Sequence, residues 1–112
     1  MNITQTPIDS SRGIRLAALE DGQEIGHAFL YVLHNDSRET PFALLEDVLV
    51  REDWRERGVG SALVGEVIAL ATQLGCYKII GTSRYARAEV HAWYERLGFK
   101  DYGKEFRMDL IM

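Results

Sequence analysis

The residues best equipped for chemistry lie in one short stretch. Arg55-Glu56-Arg57-Gly58-Val59-Gly60 follows an apolar run, Phe42 to Val50, and opens a segment of helical period. Glycines at 58 and 60 let the backbone turn with its N–H groups pointing inward, free of side chains. A helix starting there adds the partial positive charge of its N-terminus, and Arg55 and Arg57 can pair with the same anion. Such a junction suits a phosphate or pyrophosphate. The plain alternative is a helix that starts after glycine punctuation, with solvated arginines. Two other phosphate loops fail on residues. No Gly-Lys is followed by Ser or Thr, as a Walker loop requires. Leu63 stands where a dinucleotide fingerprint has its third glycine, and Lys78, Ile79 and Ile80 stand where its acid would be.

Other candidates are more scattered. Glu46 and Asp47 are the acids in the centre of an apolar strand, where charge is costly unless paired or functional. Successive strand residues face opposite ways, so one of the two is expected on any given face. Tyr94 falls in an apolar stripe with Val90, Trp93 and Leu97, and spacing alone leaves it between core residue and functional phenol. His27 and His34 read as strand residues with no special role, and His91 as a helix-surface or packing residue. Cys76, beside a helix-ending glycine, reads as a small core residue rather than a nucleophile.

The elements that must position these groups follow from pattern. Residues 1–12 are polar and read as a loose leader or an extended edge. Gly13 to Glu20 has strand character, Asp21-Gly22 is a hairpin signal, and Glu24 to His34 is the return strand. Pro41 precedes a third strand, Phe42 to Val50, which completes an antiparallel meander. Apolar residues at 59, 62, 63, 67, 70, 71 and 74 then mark a helix, stopped by Gly75. Tyr77 to Thr82 is a short strand, parallel to the third by a right-handed crossover. A second helix spans roughly Ala86 to Leu97 and is capped by Gly98. Phe99 starts a further strand, and alternation over Glu105 to Ile111 predicts a last, half-exposed one.

With 112 residues, 46% hydrophobic and 27% charged, the chain has the size and composition of one globular domain. A net charge of −4 argues against a general nucleic-acid binder. The single cysteine excludes an intrachain disulfide and fits a cytoplasmic setting. No signal peptide and no membrane-spanning run is seen.

The glycine loop, the preceding Glu46-Asp47-Val48-Leu49-Val50, and the later His91-Ala92-Trp93-Tyr94-Glu95-Arg96-Leu97-Gly98-Phe99 together resemble the GNAT superfamily of acyl-CoA N-acyltransferases. The resemblance covers residues 14 to 111. It implies an α/β (α+β) fold: a mixed, mostly antiparallel sheet of about six strands with two main helices. Acetyl-CoA would lie between Phe42–Val50 and Tyr77–Thr82, a central parallel pair that splays apart. Its pyrophosphate would meet backbone N–H groups from Arg57, Gly58, Val59, Gly60 and Ser61. Its pantetheine arm would run along Val48, Leu49 and Val50, where a bulge would aim an N–H near Leu49 at the thioester oxygen. Arg55, Glu56, Ser83, Arg87, Trp93, Tyr94 and Arg96 complete the implied coenzyme contacts. Tyr94 would protonate the departing thiolate, and Glu46 would take a proton from the acceptor amine, directly or through water. No metal is implied.

Arg87 and Val90 depart from the Asn and Ala common in relatives. A larger departure is the leader, which leaves no room for the N-terminal strand and two helices usual in the family. The resemblance therefore implies a short form, with an acceptor side that is open or walled by a second subunit in a homodimer. The expected reaction is acetyl transfer to a primary amine, on a small molecule or a protein. The alternatives are an acyl-CoA-binding sensor or scaffold without turnover, and a nucleotide-binding regulator using the same loop.

Overall fold

A hairpin sets the frame. β1 (Arg12–Glu20) turns at Asp21-Gly22, both at positive φ, into β2 (Gln23–Leu33), and β3 (Phe42–Val50) returns beside β2. These are coordinates of a computed structural model, which describes residues 1–111. The first three strands are antiparallel neighbours; β4 (Ile79–Gly81) pairs with β3 in parallel, giving the sheet order β1-β2-β3-β4. Between β3 and β4 come a 3-10 turn, Glu52–Trp54, and helix α1 (Val59–Gln73). A second compact unit begins at Thr82 and contains α2 (Ala88–Arg96).

In the first unit, α1 covers one face of the sheet. Ile25, Ala28, Leu30 and Val32 of β2 and Ala43 and Leu45 of β3 meet Leu63, Val64, Val67 and Ala71 of the helix, and all ten are buried. From Gly26 onward the alternation along β2 puts its even positions on this face and leaves His27, Phe29, Tyr31 and Leu33 on the other. The helical face is rotated by about one position from the pattern: Val64 is fully buried, whereas Ala62 is exposed. Gly75 ends α1 as expected, at φ 80°, with the Cys76 amide donating to the Ala71 carbonyl at 3.0 Å.

The leader has no regular structure up to Ser11, but its end docks on β2, where the His34 amide donates to Ser11 Oγ at 3.3 Å. The described residues form four strands, not six. The strand expected over Tyr77 to Thr82 is only Ile79–Gly81, and none begins at Phe99. The alternating segment Glu105 to Ile111 is not a strand either, and Phe106, Met108 and Leu110 are exposed. Alternation signals a face that would profit from burial; a strand exists only where a neighbour completes the ladder.

Candidate functional site

The site in the first unit is built where β3 outruns its parallel partner. β3 pairs with β4 only through Ala43, Leu44 and Leu45, and then continues to Val50. Over Glu46 to Val50, β2 is the one strand paired with it among the described residues. The backbone edge on the β4 side thus parts from its neighbour after Leu45, which is the geometry of an opening that accepts an extended ligand as an added strand.

A bulge lies within this stretch. His27 pairs with Leu49 and Phe29 with Glu46, so Asp47 and Val48 together oppose Ala28. Asp47 sits at φ 47°, a left-handed conformation that costs energy for a residue with a side chain. The extra residue changes the expected facing. Strand alternation puts Glu46 and Asp47 on opposite faces, but both line the open face of the sheet, because the bulge breaks the alternation between them. With Phe29, Tyr31, Leu33 and Leu44 they surround an open depression of about 550 Å³. The Phe29 and Tyr31 rings lie nearly parallel, 6.2 Å apart, and form its wall.

β3 delivers the chain to the glycine loop. The Arg51 amide donates to the Ile25 carbonyl at 2.8 Å, which carries the ladder one step past β3. Arg51 forks onto Asp53, with distances of 3.1 and 2.7 Å, and this guanidinium holds the Asp53 carboxyl below its ordinary range. Arg55 Nε donates to the Val50 carbonyl at 3.2 Å, and the Arg57 guanidinium lies 4.8 Å from the Trp54 ring centroid. Both arginines expected to face an anion therefore have a local contact that fixes the loop. Gly58, at φ 83°, caps α1 without a side chain, and the first turn carries no acid. By helix geometry the first-turn N–H groups lack intrahelical acceptors, so Val59 and Gly60 present donors at the positive end of the dipole.

Gly26 brings these parts together. A Cβ there would lie 3.0 Å from the Leu49 carbonyl oxygen and 3.2 Å from both Val59 and Leu63. The absence of a side chain lets the start of α1 and the end of β3 share one spot. Val48, Leu49, Val50 and the loop Arg55 to Ser61 are thus neighbours in the first unit.

The second unit carries Ser83, Arg87, Trp93, Tyr94 and Arg96. Arg87 is the N-cap of α2 and lies 3.5 Å from Glu89; Arg96 stands in the last turn, where a cation is favoured. Half-buried Tyr94 stacks on Trp93, at 5.4 Å, and meets the Phe99 ring at a tilt, at 5.2 Å. His91 accepts the packing role expected of it: Nε2 lies 2.8 Å from the Arg84 carbonyl and ties α2 to the preceding loop. Burial raises the Cys76 thiol above its ordinary value, which disfavours a nucleophilic thiolate.

One group went unrecognised in the sequence. His27 Nε2 stands 3.2 Å from Asp47 Oδ2, at the bulge. No spacing rule links positions 27 and 47; only the strand register brings them together.

The family model for the acetyltransferase (GNAT) family matches residues 4–99. The chain belongs to the GNAT family. An aminoglycoside N(6')-acetyltransferase type 1 of Stenotrophomonas maltophilia is 31% identical over 113 residues, covering 96% of this GNAT chain and 74% of that protein. A glucosamine 6-phosphate N-acetyltransferase of Trypanosoma brucei brucei is 35% identical over 66 residues, 59% of this chain and 43% of that protein. Among solved structures, a protein from Agrobacterium tumefaciens str. C58 described as an acetyltransferase superposes with a TM-score of 0.79 at 32% identity. That match covers 83% of this chain and 65% of the other, so the GNAT chain spans about two thirds of its solved relative. The mostly antiparallel sheet, two helices and single parallel pair agree with GNAT architecture.

Proposed function

We propose that residues 1–112 act as one GNAT domain that moves an acetyl group from acetyl-CoA to a primary amine. The observation that carries this reading is the β3 edge left beyond Leu45, beside the first turn of α1. The pantetheine arm pairs with the edge at Val48 to Val50. The pyrophosphate meets the N–H groups of the loop and helix start, with Arg55 and Arg57 nearby and Glu56 at the rim. The family pattern assigns further coenzyme contacts to Ser83, Arg87, Trp93 and Arg96 of the second unit.

The neutral amine attacks the thioester carbon, and a C–N bond forms as the carbonyl becomes an oxyanion. A backbone N–H at the bulge, near Leu49, stabilises that oxyanion. Collapse breaks the C–S bond, and the thiolate takes a proton from the Tyr94 phenol, the role the family pattern assigns to that residue; the second nitrogen proton, shed as the amide forms, passes through water to restore the phenol. Free thiols titrate near ~8.5 and phenols near ~10, so the transfer is uphill by about 1.5 units, roughly 2 kcal/mol, and is drawn forward by collapse of the intermediate. The acceptor arrives as an ammonium and must lose a proton first; Glu46 receives it through water.

The acceptor sits in the depression walled by Phe29 and Tyr31. Both of its acids, Glu46 and Asp47, favour a cationic amine, and the nearby Arg15 is forked onto Glu24 at 2.6 Å. This combination suits an amino sugar with several amines, as the name of the Stenotrophomonas relative suggests, better than a sugar phosphate. β1 is the outermost strand, and an outer strand left bare favours pairing with a second copy; the working form is a cytoplasmic homodimer, which light scattering tests.

Thiol release from acetyl-CoA, measured with a panel of amines, is the direct test. Turnover is expected to be faster with a polyamino sugar than with glucosamine 6-phosphate. Tyr94→Phe is expected to lower kcat by about a hundredfold or more, the usual size of a lost general acid. Tight coenzyme binding with no amine-dependent release across the panel would overturn the reading.

A further inference from the structure

On the open face of the sheet, four charged or titratable side chains run across three strands in one chain of contacts. Arg15 of β1 forks onto Glu24 of β2, with both distances 2.6 Å. Glu24 Oε2 lies 3.5 Å from His27 Nδ1, and Arg15 Nη2 lies 3.4 Å from the same nitrogen. His27 Nε2 lies 3.2 Å from Asp47 Oδ2 on β3. The His27 ring is shielded, its side chain 15% exposed, and meets Phe29 edge to face at 5.5 Å. Asp47, the last member, is held at a left-handed φ in the bulge and forms part of the depression floor.

We propose that His27 is a positioning residue for the amine acceptor: it fixes the Asp47 carboxylate, and with it the acceptor face of the bulge. This rests on the acetyl-transfer reading above and adds to it a residue that touches neither coenzyme nor reacting atoms. Three facts support it. Asp47 has a side chain that is 70% exposed, so a carboxylate there would otherwise sample several rotamers at the edge of the depression. His27 is in turn held at its other nitrogen by an Arg–Glu fork, and a ring fixed at both nitrogens is oriented by its partners. Phe29 is shared: its ring borders His27, lies 5.9 Å from the Arg15 guanidinium, and walls the depression.

The two protonation states use this environment differently. The neutral ring donates from Nε2–H to Asp47 and accepts at Nδ1 from Arg15. The doubly protonated ring donates from Nδ1–H to Glu24 as well, and its charge then offsets part of the Asp47 charge that attracts an ammonium. The charged groups around the ring are Arg15 on β1, Glu24 on β2, and Asp47 with adjacent Glu46 on β3. Acceptor affinity, rather than coenzyme affinity, is therefore the quantity His27 controls.

The test uses the full chain and two readouts. Nitrogen NMR of the imidazole is expected to show the neutral His27 ring protonated at Nε2, and Asp47→Asn to convert it to a tautomer mixture. In steady-state kinetics with a polyamino sugar, His27→Ala is expected to raise the acceptor KM about five- to tenfold, the size of one lost hydrogen bond of ordinary strength, with the acetyl-CoA KM unchanged. His27→Gln keeps a donor at similar reach and is expected to recover most of that loss. A ring tautomer indifferent to Asp47→Asn overturns the proposal, as does a His27→Ala effect that falls equally on both substrates. If calorimetry detects no acetyl-CoA binding, the acetyl-transfer reading itself fails, and the acceptor role of His27 is overturned with it. The NMR result then reports separately whether the His27–Asp47 pair exists.

Discussion

At the scale of single residues, Asp47 joins backbone and chemistry most closely. Its left-handed φ creates the bulge, and its carboxylate receives the His27 contact. The two contributions can be separated. Asp47→Gly keeps the conformation, because glycine adopts positive φ without a Cβ penalty, but removes the carboxylate. The variant is expected to melt close to the parent, with a stability change within about 1 kcal/mol. Its acceptor KM should rise several-fold, while acetyl-CoA affinity by calorimetry stays as it was. A large fall in melting temperature would mean that the side-chain contact, rather than the backbone, holds the bulge. The sequence exposed Glu46 and Asp47 as candidates because acids in an apolar strand are expensive. It concealed that both share a face. Strict alternation forbids that, and the bulge that permits it depends on the register of β2 against β3.

Elements defined by local signals were legible. Asp21-Gly22 marked the β1–β2 hairpin, Gly58 and Gly75 bounded α1, and Gly98 followed α2, each with the positive φ that favours glycine. Elements that depend on distant partners were not. β4 proved three residues long, and the segment from 105 to 111 formed no strand despite its alternation. The loop motif from Arg55 to Gly60 was readable for the same local reason, whereas the contact between α1 and β3 through Gly26 was invisible, since it joins three elements. That contact can be tested. Gly26→Ala places a Cβ 3.0 Å from a backbone oxygen that cannot rotate away. The end of β3 that bears this oxygen must give by a few tenths of an ångström, and the Val59 and Leu63 side chains at 3.2 Å are pressed as well; overpacking of this kind costs about 1–3 kcal/mol. Thermal melting is expected to drop by roughly 4–8 °C per kcal/mol for a chain of this size. Acetyl-CoA binding should weaken as well, because the end of β3 and the first turn of α1, which meet at this spot, carry the backbone groups assigned to the coenzyme. Loss of stability with unchanged coenzyme affinity would detach the helix start from the site.

For the whole molecule, charge and burial together decide how stability responds to acid. Among the described residues no polar or charged side chain is buried, so acid unfolding cannot come from an interior carboxylate. It must come from surface carboxylates held below their ordinary values. Glu24 is one, lowered chiefly by its hydrogen bonds to Arg15, and Asp53 is another, lowered by Arg51. A carboxyl whose folded value lies below its unfolded value binds fewer protons when folded. Its contribution is therefore complete above the unfolded value, near ~4.3 for Glu and ~3.9 for Asp, and is lost as pH falls through the lowered folded value. Both forks are exposed to solvent, so salt screens them and the effect is small. The urea midpoint is expected to be flat from neutrality to about pH 5 and to decline below the ordinary carboxyl values. Glu24→Gln should make that decline shallower, and added salt should do the same to the parent. The Glu24 decline also has a local consequence, because protonation releases the Arg15 fork that holds His27. Acceptor KM is then expected to rise within the same acid window, ahead of global unfolding, when followed at a fixed saturating acetyl-CoA concentration. If the pH dependence of KM in Glu24→Gln matched that of the parent, the fork would be a surface ion pair with no hold on the acceptor face.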